Sequence, residues 1–90
     1  MKIYVVSYEY FSEINDEIFL YRILGVSKTL EGAKKIIEAD LDYKKETLDN
    51  YGHEVSDDGA HTYWYSDFDK LYGEVITYYF IDPHDLKEES

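Results

Sequence analysis

Residues 18–41 read IFLYRILGVSKTLEGAKKIIEADL, and within this stretch the spacing of apolar residues changes from two to nearly four. Up to Val26 the chain alternates, with Ile18, Leu20, Arg22 and Leu24 on one side and Phe19, Tyr21 and Ile23 on the other, as in a strand over residues 18–26. From Leu30 onward, Leu30, Ala33, Ile37, Leu41 and Leu48 recur at helical spacing with Ile36 at the flank. Ser27 or Thr29 can cap the start, and Glu31 suits the positive end of a helix. Lys34, Lys35, Glu38, Asp42, Lys45 and Glu46 fall on the opposite face, and Glu31–Lys35 and Asp40–Lys44 are acid-before-base pairs four apart. Gly52 is a natural stop. The spacing predicts a helix over residues 29–50.

Reading outward in both directions fills in the sheet. Residues 2–11, KIYVVSYEYF, alternate with β-branched and aromatic residues, and the polar SEINDE that follows is short enough to close an antiparallel hairpin onto residues 18–26. Downstream, HEVSDDG over residues 53–59 reads as a loop or a ragged strand start, AHTYWYS over 60–66 as a third strand, SDFDK as a turn, and LYGEVITYYFI over 71–81 as a fourth strand ended by Pro83. The order β-β-α-β-β describes an α+β two-layer sandwich: a four-stranded antiparallel sheet with one helix on one face. It is a single ββαββ domain over residues 1–84 with a frayed acidic tail over 85–90. One helix covers one side, so the other side is open to solvent, closed by a second copy, or used for binding. The chain has eleven tyrosines, and the tyrosine ring buries area while its hydroxyl tolerates water. Tyr4, Tyr8, Tyr21, Tyr63, Tyr65 and Tyr78 are the candidates for an aromatic sheet face that takes a partner or a second copy in a homodimer.

Charge narrows the partner. The 90 residues carry a net charge of −11, unevenly distributed: residues 51–90 hold ten acids and two bases, while residues 1–50 hold ten acids and seven bases. Nucleic-acid phosphates and anionic membranes should repel such a chain, and basic protein surfaces should attract it. There is no cysteine, hence no disulfide or thiolate site. The start, MKIYVVSYE, has one basic residue and turns polar after six, unlike a signal peptide, and no apolar run approaches a membrane span; a cytoplasmic protein is expected.

Motifs for chemistry are not apparent. His53, Asp57 and His61 are four apart, a spacing that converges on a helix but not on a loop and a strand, so no metal site is expected. Asp67-Phe-Asp69 begins like a calcium loop but continues with Leu71, Tyr72 and Tyr78 where ligands and a glycine are needed. The serines sit in no nucleophile motif, the glycines are isolated, and no cofactor-binding pattern occurs, so the protein reads as a non-enzyme.

The remaining signal is DDGAHTYWYSDFD, residues 57–69, where acidic pairs bracket three consecutive aromatics. Asp57 and Asp58 before the third strand and Asp67 and Asp69 after it, with Glu54, Glu74, Asp82 and Asp85, could form a broad negative field. A carboxylate accepts two parallel hydrogen bonds from arginine, as phosphate does, so spaced carboxylates can occupy a site built for a nucleic-acid backbone. The expected partner-binding set is Asp57, Asp58, Asp67, Asp69 and Glu74, with Tyr63 and Tyr65 as anchors; Trp64 reads as core.

The block Leu24–Lys35, LGVSKTLEGAKK, together with the KIYVVSYEY start, resembles small acidic proteins of Gram-positive bacteria and their phages, and the short, tyrosine-rich composition is similar to phage anti-defence inhibitors, including anti-CRISPR proteins. The resemblance covers the first half of the chain, and because those inhibitors share no single fold it carries over no residue's role. It implies an inhibitor of a nucleic-acid-handling defence effector, whose DNA-reading arginines and lysines would be the partner surface. Two other readings remain: a self-associating accessory protein joined through its tyrosines, and a dimeric protein that sequesters a nucleotide, for which Arg22, Lys28 and Lys34–Lys35 are the available donors.

Overall fold

In a computed structural model of the chain, described for residues 1–12, 17–42, 48, 51–71 and 73–85 and for the side chains of these except 17–20, 42 and 69, the elements run β1 (Lys2–Ser12), β2 (Glu17–Ser27), α1 (Leu30–Asp42), β3 (Gly52–Val55), β4 (His61–Asp69) and β5 (Gly73–Asp85). The strands form one sheet in the order β2-β1-β5-β4-β3, antiparallel throughout. The α+β class with one helix and an antiparallel sheet is as expected; the sheet has five strands rather than four. The added strand is β3, made from GHEV, which lacks the apolar alternation that marks a strand in sequence. It forms because Ser56–Ala60 closes a tight turn: Ser56 N–H donates to the Ala60 carbonyl at 2.9 Å and Gly59 N–H to the Ser56 carbonyl at 2.9 Å. Gly59 has φ 88°, a conformation glycine adopts without a Cβ penalty.

β5 is the centre of the sheet. It pairs along its length with β1, from Lys2↔Asp85 to Ser12↔Val75, and on its other side with β4, from His61↔Ile81 to Asp69↔Gly73. Pro83 does not end it. The β4 pairing stops at Ile81, so Pro83 lies where β5 has β1 as its one neighbour, a position that tolerates a residue without an N–H. Asp85, assigned by sequence to the tail, belongs to the strand; residues 86–90 lie outside the described residues.

The helix starts as read and is described over a shorter span. Thr29 caps it: its Oγ1 accepts from Gly32 N–H at 3.0 Å and its carbonyl from Ala33 N–H at 3.1 Å, while Ser27 Oγ accepts from Thr29 N–H at 3.2 Å. A Cβ at Gly32 would stand 2.1 Å from Ser27 Oγ, so a larger residue there would turn that hydroxyl away from Thr29 N–H. α1 is described to Asp42, whereas the sequence spacing ran to residue 50; residues 43–47, 49 and 50, and with them Lys44 and Lys45, lie outside the described residues. Gly52 is not a helix stop but the first residue of β3. Glu31 pairs with Lys34 at 3.9 Å, three positions on rather than four, and Asp40 accepts the Tyr79 hydroxyl proton in a hydrogen bond.

The core lies between α1 and the even-numbered side of β1. Ala33, Ile37 and Leu41 are fully buried against Val6, Tyr8, Tyr79 and Ile81, with Tyr51 and Tyr63 completing the layer. Tyrosine is therefore a core residue here. Tyr8 and Tyr63 are buried and Tyr4 and Tyr65 pack against the core, so four of the six tyrosines expected on a binding face lie on the helix side. Rings pack on this side as well, with Tyr51 against Tyr65 at 4.6 Å and against Tyr79 at 6.4 Å. Burial and the Asp40 carboxylate push the Tyr79 hydroxyl well above the ordinary tyrosine range, so it remains a donor.

Candidate functional site

Cross-strand register fixes what the uncovered side presents, since residues opposite one another share a face. With Val6, Tyr8, Tyr79 and Ile81 toward the helix, the alternate residues face away. One row runs Trp64, Tyr78, Glu9, Tyr21; the next runs Glu54, Thr62, Phe80, Ser7, Ile23; beyond it come Asp82, Val5 and Val26. Simple alternation along β2 fails to give this arrangement, because the register slips between Val6 and Ser7 and again between Tyr10 and Phe11. After the first slip Gly25 faces the helix, where a Cβ would stand 3.2 Å from Ile36 Cδ1, while Val26 and Ile23 stay on the outer side.

The result is an apolar surface that no described helix or strand covers. Tyr21, Ile23 and Val26 are 59%, 58% and 55% exposed, and Tyr78 and Phe80 stand with near-parallel rings 6.2 Å apart. Trp64, expected in the core, is half-buried on this outer side, where Gly52 makes room for it: a Cβ on Gly52 would be 2.2 Å from Trp64 Cε2. Acids lie beside and within the surface. Glu74 and Asp82 lie toward the two ends of β5, Glu54 on the edge strand β3, and Glu9 in the row of Tyr21 and Tyr78. Among the described strand residues no lysine or arginine takes an outer position: Lys2 and Arg22 fall on the helix side, opposite Asp85 and Tyr8.

The expected partner-binding residues are distributed differently. Asp57 and Asp58 lie in the β3–β4 turn, and Asp67 and Asp69 at the far end of β4, roughly 25 Å away at the rise of an extended strand. The four aspartates therefore form two separate groups. Asp58 serves its own turn, accepting from Ser56 Oγ and from Ala60 N–H, and these two hydrogen bonds hold its carboxyl below the usual aspartate range. Asp67 accepts from Phe68 N–H at 2.8 Å, and Asp69 is placed by its backbone pairing with Gly73. Tyr63 is buried and Tyr65 half-buried on the helix side, so neither ring offers an exposed anchor. Of the expected set, Glu74 alone joins the outer face, exposed and opposite Phe68.

A second cluster arises where β3 returns along β4. His53 Nε2 and His61 Nδ1 are 2.9 Å apart, and the His53 ring lies flat on Tyr63, with centroids 4.2 Å apart and planes 3° apart. Spacing along the chain suggested that these histidines do not converge; the hairpin brings them together. Burial, the His53 ring and Lys34 hold His61 below the ordinary histidine range, while burial, Glu31 and Glu38 push the Tyr63 hydroxyl up. The only sequence signal for this contact was Asp58-Gly59, a turn dipeptide between two histidines eight residues apart. Among the described residues no group of three or more potential ligands could hold a metal, and no helix is long and apolar enough to cross a membrane. The chain matches no protein-family model, no curated protein and no solved structure.

Proposed function

We propose that the protein is an acidic binding protein that docks a basic surface of another protein onto the outer face of its sheet. The observation that carries this reading is the composition of that face: apolar Val5, Ile23, Val26, Tyr78 and Phe80, carboxylates at Glu54, Glu74 and Asp82 beside them and at Glu9 between Tyr78 and Tyr21, and no lysine or arginine among its described strand positions. Protein interfaces combine apolar and aromatic area with polar groups, and charges of one sign select the opposite sign on the partner. Proteins that grip nucleic-acid backbones carry arginine and lysine, so an inhibitor of such a protein, acting by occupying its phosphate-binding surface, fits the face best; an anti-defence role belongs to this class. The carboxylates assigned to contact are those of the face, with Glu74 retained from the sequence reading, rather than the aspartates at the hairpin ends.

Self-association through the same face is the second reading, favoured by the exposure of Tyr21, Ile23 and Val26. It would bring the same carboxylates together without counter-charge, so added salt should strengthen it, whereas salt should weaken a complex with a basic partner. The test is retention of a partner from a lysate of the source cells, with the eluting salt measured, by the native chain and by two variants. The expected result is a basic protein released by salt, lost with Glu9→Gln/Glu74→Gln/Asp82→Asn and kept with Asp57→Asn/Asp67→Asn. Retention that ignores ionic strength, or that depends on the hairpin-end aspartates alone, would overturn the assignment; a chain that dimerises more tightly in high salt would replace it with the second reading.

A further inference from the structure

β3 is the shortest strand of the sheet and has one neighbour. Its residues His53, Glu54 and Val55 are exposed. Apart from the backbone ladder, Trp64 lies over Gly52 on the outer face and His53 grips β4 on the helix side. The histidine contact has a specific form. The ring centres are 5.2 Å apart and the planes 13° apart, with 2.9 Å between Nε2 of His53 and Nδ1 of His61. These are the dimensions of two imidazoles meeting end to end, nearly in one plane, through one N–H···N hydrogen bond. Such a bond holds one proton between its nitrogens. A single added proton, taken up at an outward nitrogen, leaves the bond intact. With both rings protonated, two N–H donors point at each other and two positive charges meet at contact distance.

We propose that His53 and His61 form a proton-operated latch that keeps the edge strand β3 on the sheet near neutral pH and releases it when both rings are protonated. The latch lies on the helix side of the sheet, away from the outer face. Its surroundings set the direction. From α1, Lys34 bears on His61 and is itself paired with Glu31, while Glu31 and Glu38 bear on Tyr63; from β4, Tyr63 supplies the ring beneath His53; β5 presents Tyr79 and Ile81, uncharged, opposite Tyr63 and His61. Burial, His53 and Lys34 all disfavour a proton on His61 in the closed hairpin. The closed form therefore binds fewer protons than the open one below the ordinary value of 6.5, and closure is fully favoured above that value and weakens as pH falls through the lower value of the closed state. The Ser56–Ala60 turn does not follow this titration, since the Asp58 carboxyl that braces it lies below 3.8. Release bares the outer backbone edge of β4 over His61–Trp64, an edge able to pair with a strand of another chain.

Amide hydrogen exchange of the intact chain, expressed as protection relative to the unstructured peptide, tests this at neutral pH and near pH 5. Protection of the β3 amides should fall about tenfold for each pKa unit by which the closed hairpin disfavours the second proton, with β1 and β5 unchanged and the emission of Trp64 moving to the red. His61→Gln should abolish the step, and His84→Gln, at the end of β5, should keep it. Equal β3 protection at both pH values, persistence of the step in His61→Gln, or equal losses in β1 and β5 would overturn the latch.

Discussion

The two faces of this sheet are built from the same five strands and meet opposite fates. On the helix side, rings and aliphatic chains interlock until Tyr79, Ile81, Val6 and Ile37 have no contact with water. On the outer side, Ile23 and Val26 keep more than half their area exposed, and the charged residues at its described strand positions are acids. A sheet face becomes core through what is laid on it, and apolar residues are needed on both sides here. The helix side therefore carries stability, and the outer side is the one on which the proposed partner would dock.

Substitutions can break or sharpen this contrast. Tyr79→Ala removes a fully buried ring that also donates to Asp40, and it should destabilise the fold by about 3–5 kcal/mol, measured by denaturant unfolding. That loss is a large share of the stability a domain of this size has. Gly52→Ala drives a methyl group into Trp64 at the β3 edge and should cost about 1–3 kcal/mol, accompanied by a shift in tryptophan emission. Ile23→Ser, on the outer side, should leave stability within about 0.5 kcal/mol of the native chain while weakening partner retention. A large loss of stability from Ile23→Ser, or a small one from Tyr79→Ala, would reverse the roles given to the two faces.

How much of this could be read in the sequence varies by element. The change of period between Leu24 and Leu30 gave the strand-to-helix junction, and Thr29 does cap the helix. The side of the sheet that α1 covers was not legible, because β1 is apolar on both sides: Ile3 and Val5 alternate with Tyr4, Val6 and Tyr8. Periodicity cannot assign a face when both are hydrophobic. For the same reason four of the six tyrosines expected on a binding face, all but Tyr21 and Tyr78, prove to lie on the helix side, and Trp64 was expected in the core. The slips in β2 move Gly25 and Val26 relative to the residues before them, and nothing in LYRILGV announces a slip. β3 is held by its turn and by partners on β4 rather than by its own composition. The acids were legible as residues but not as a surface, since parity along β5 puts Glu74 and Asp82 on the outer side and a tight turn commits Asp58 to its own backbone.

The two borders of the sheet have a further consequence. One is β2, eleven residues long but interrupted twice, so its outward donors and acceptors lose the even spacing that a second copy would need to zip alongside. The other is β3, only four residues long. Side-by-side growth into a fibre would require these borders to match one another, and they differ in length and regularity. That mismatch works against stacking copies edge to edge, so strand-to-strand polymerisation is opposed by the form of the borders themselves.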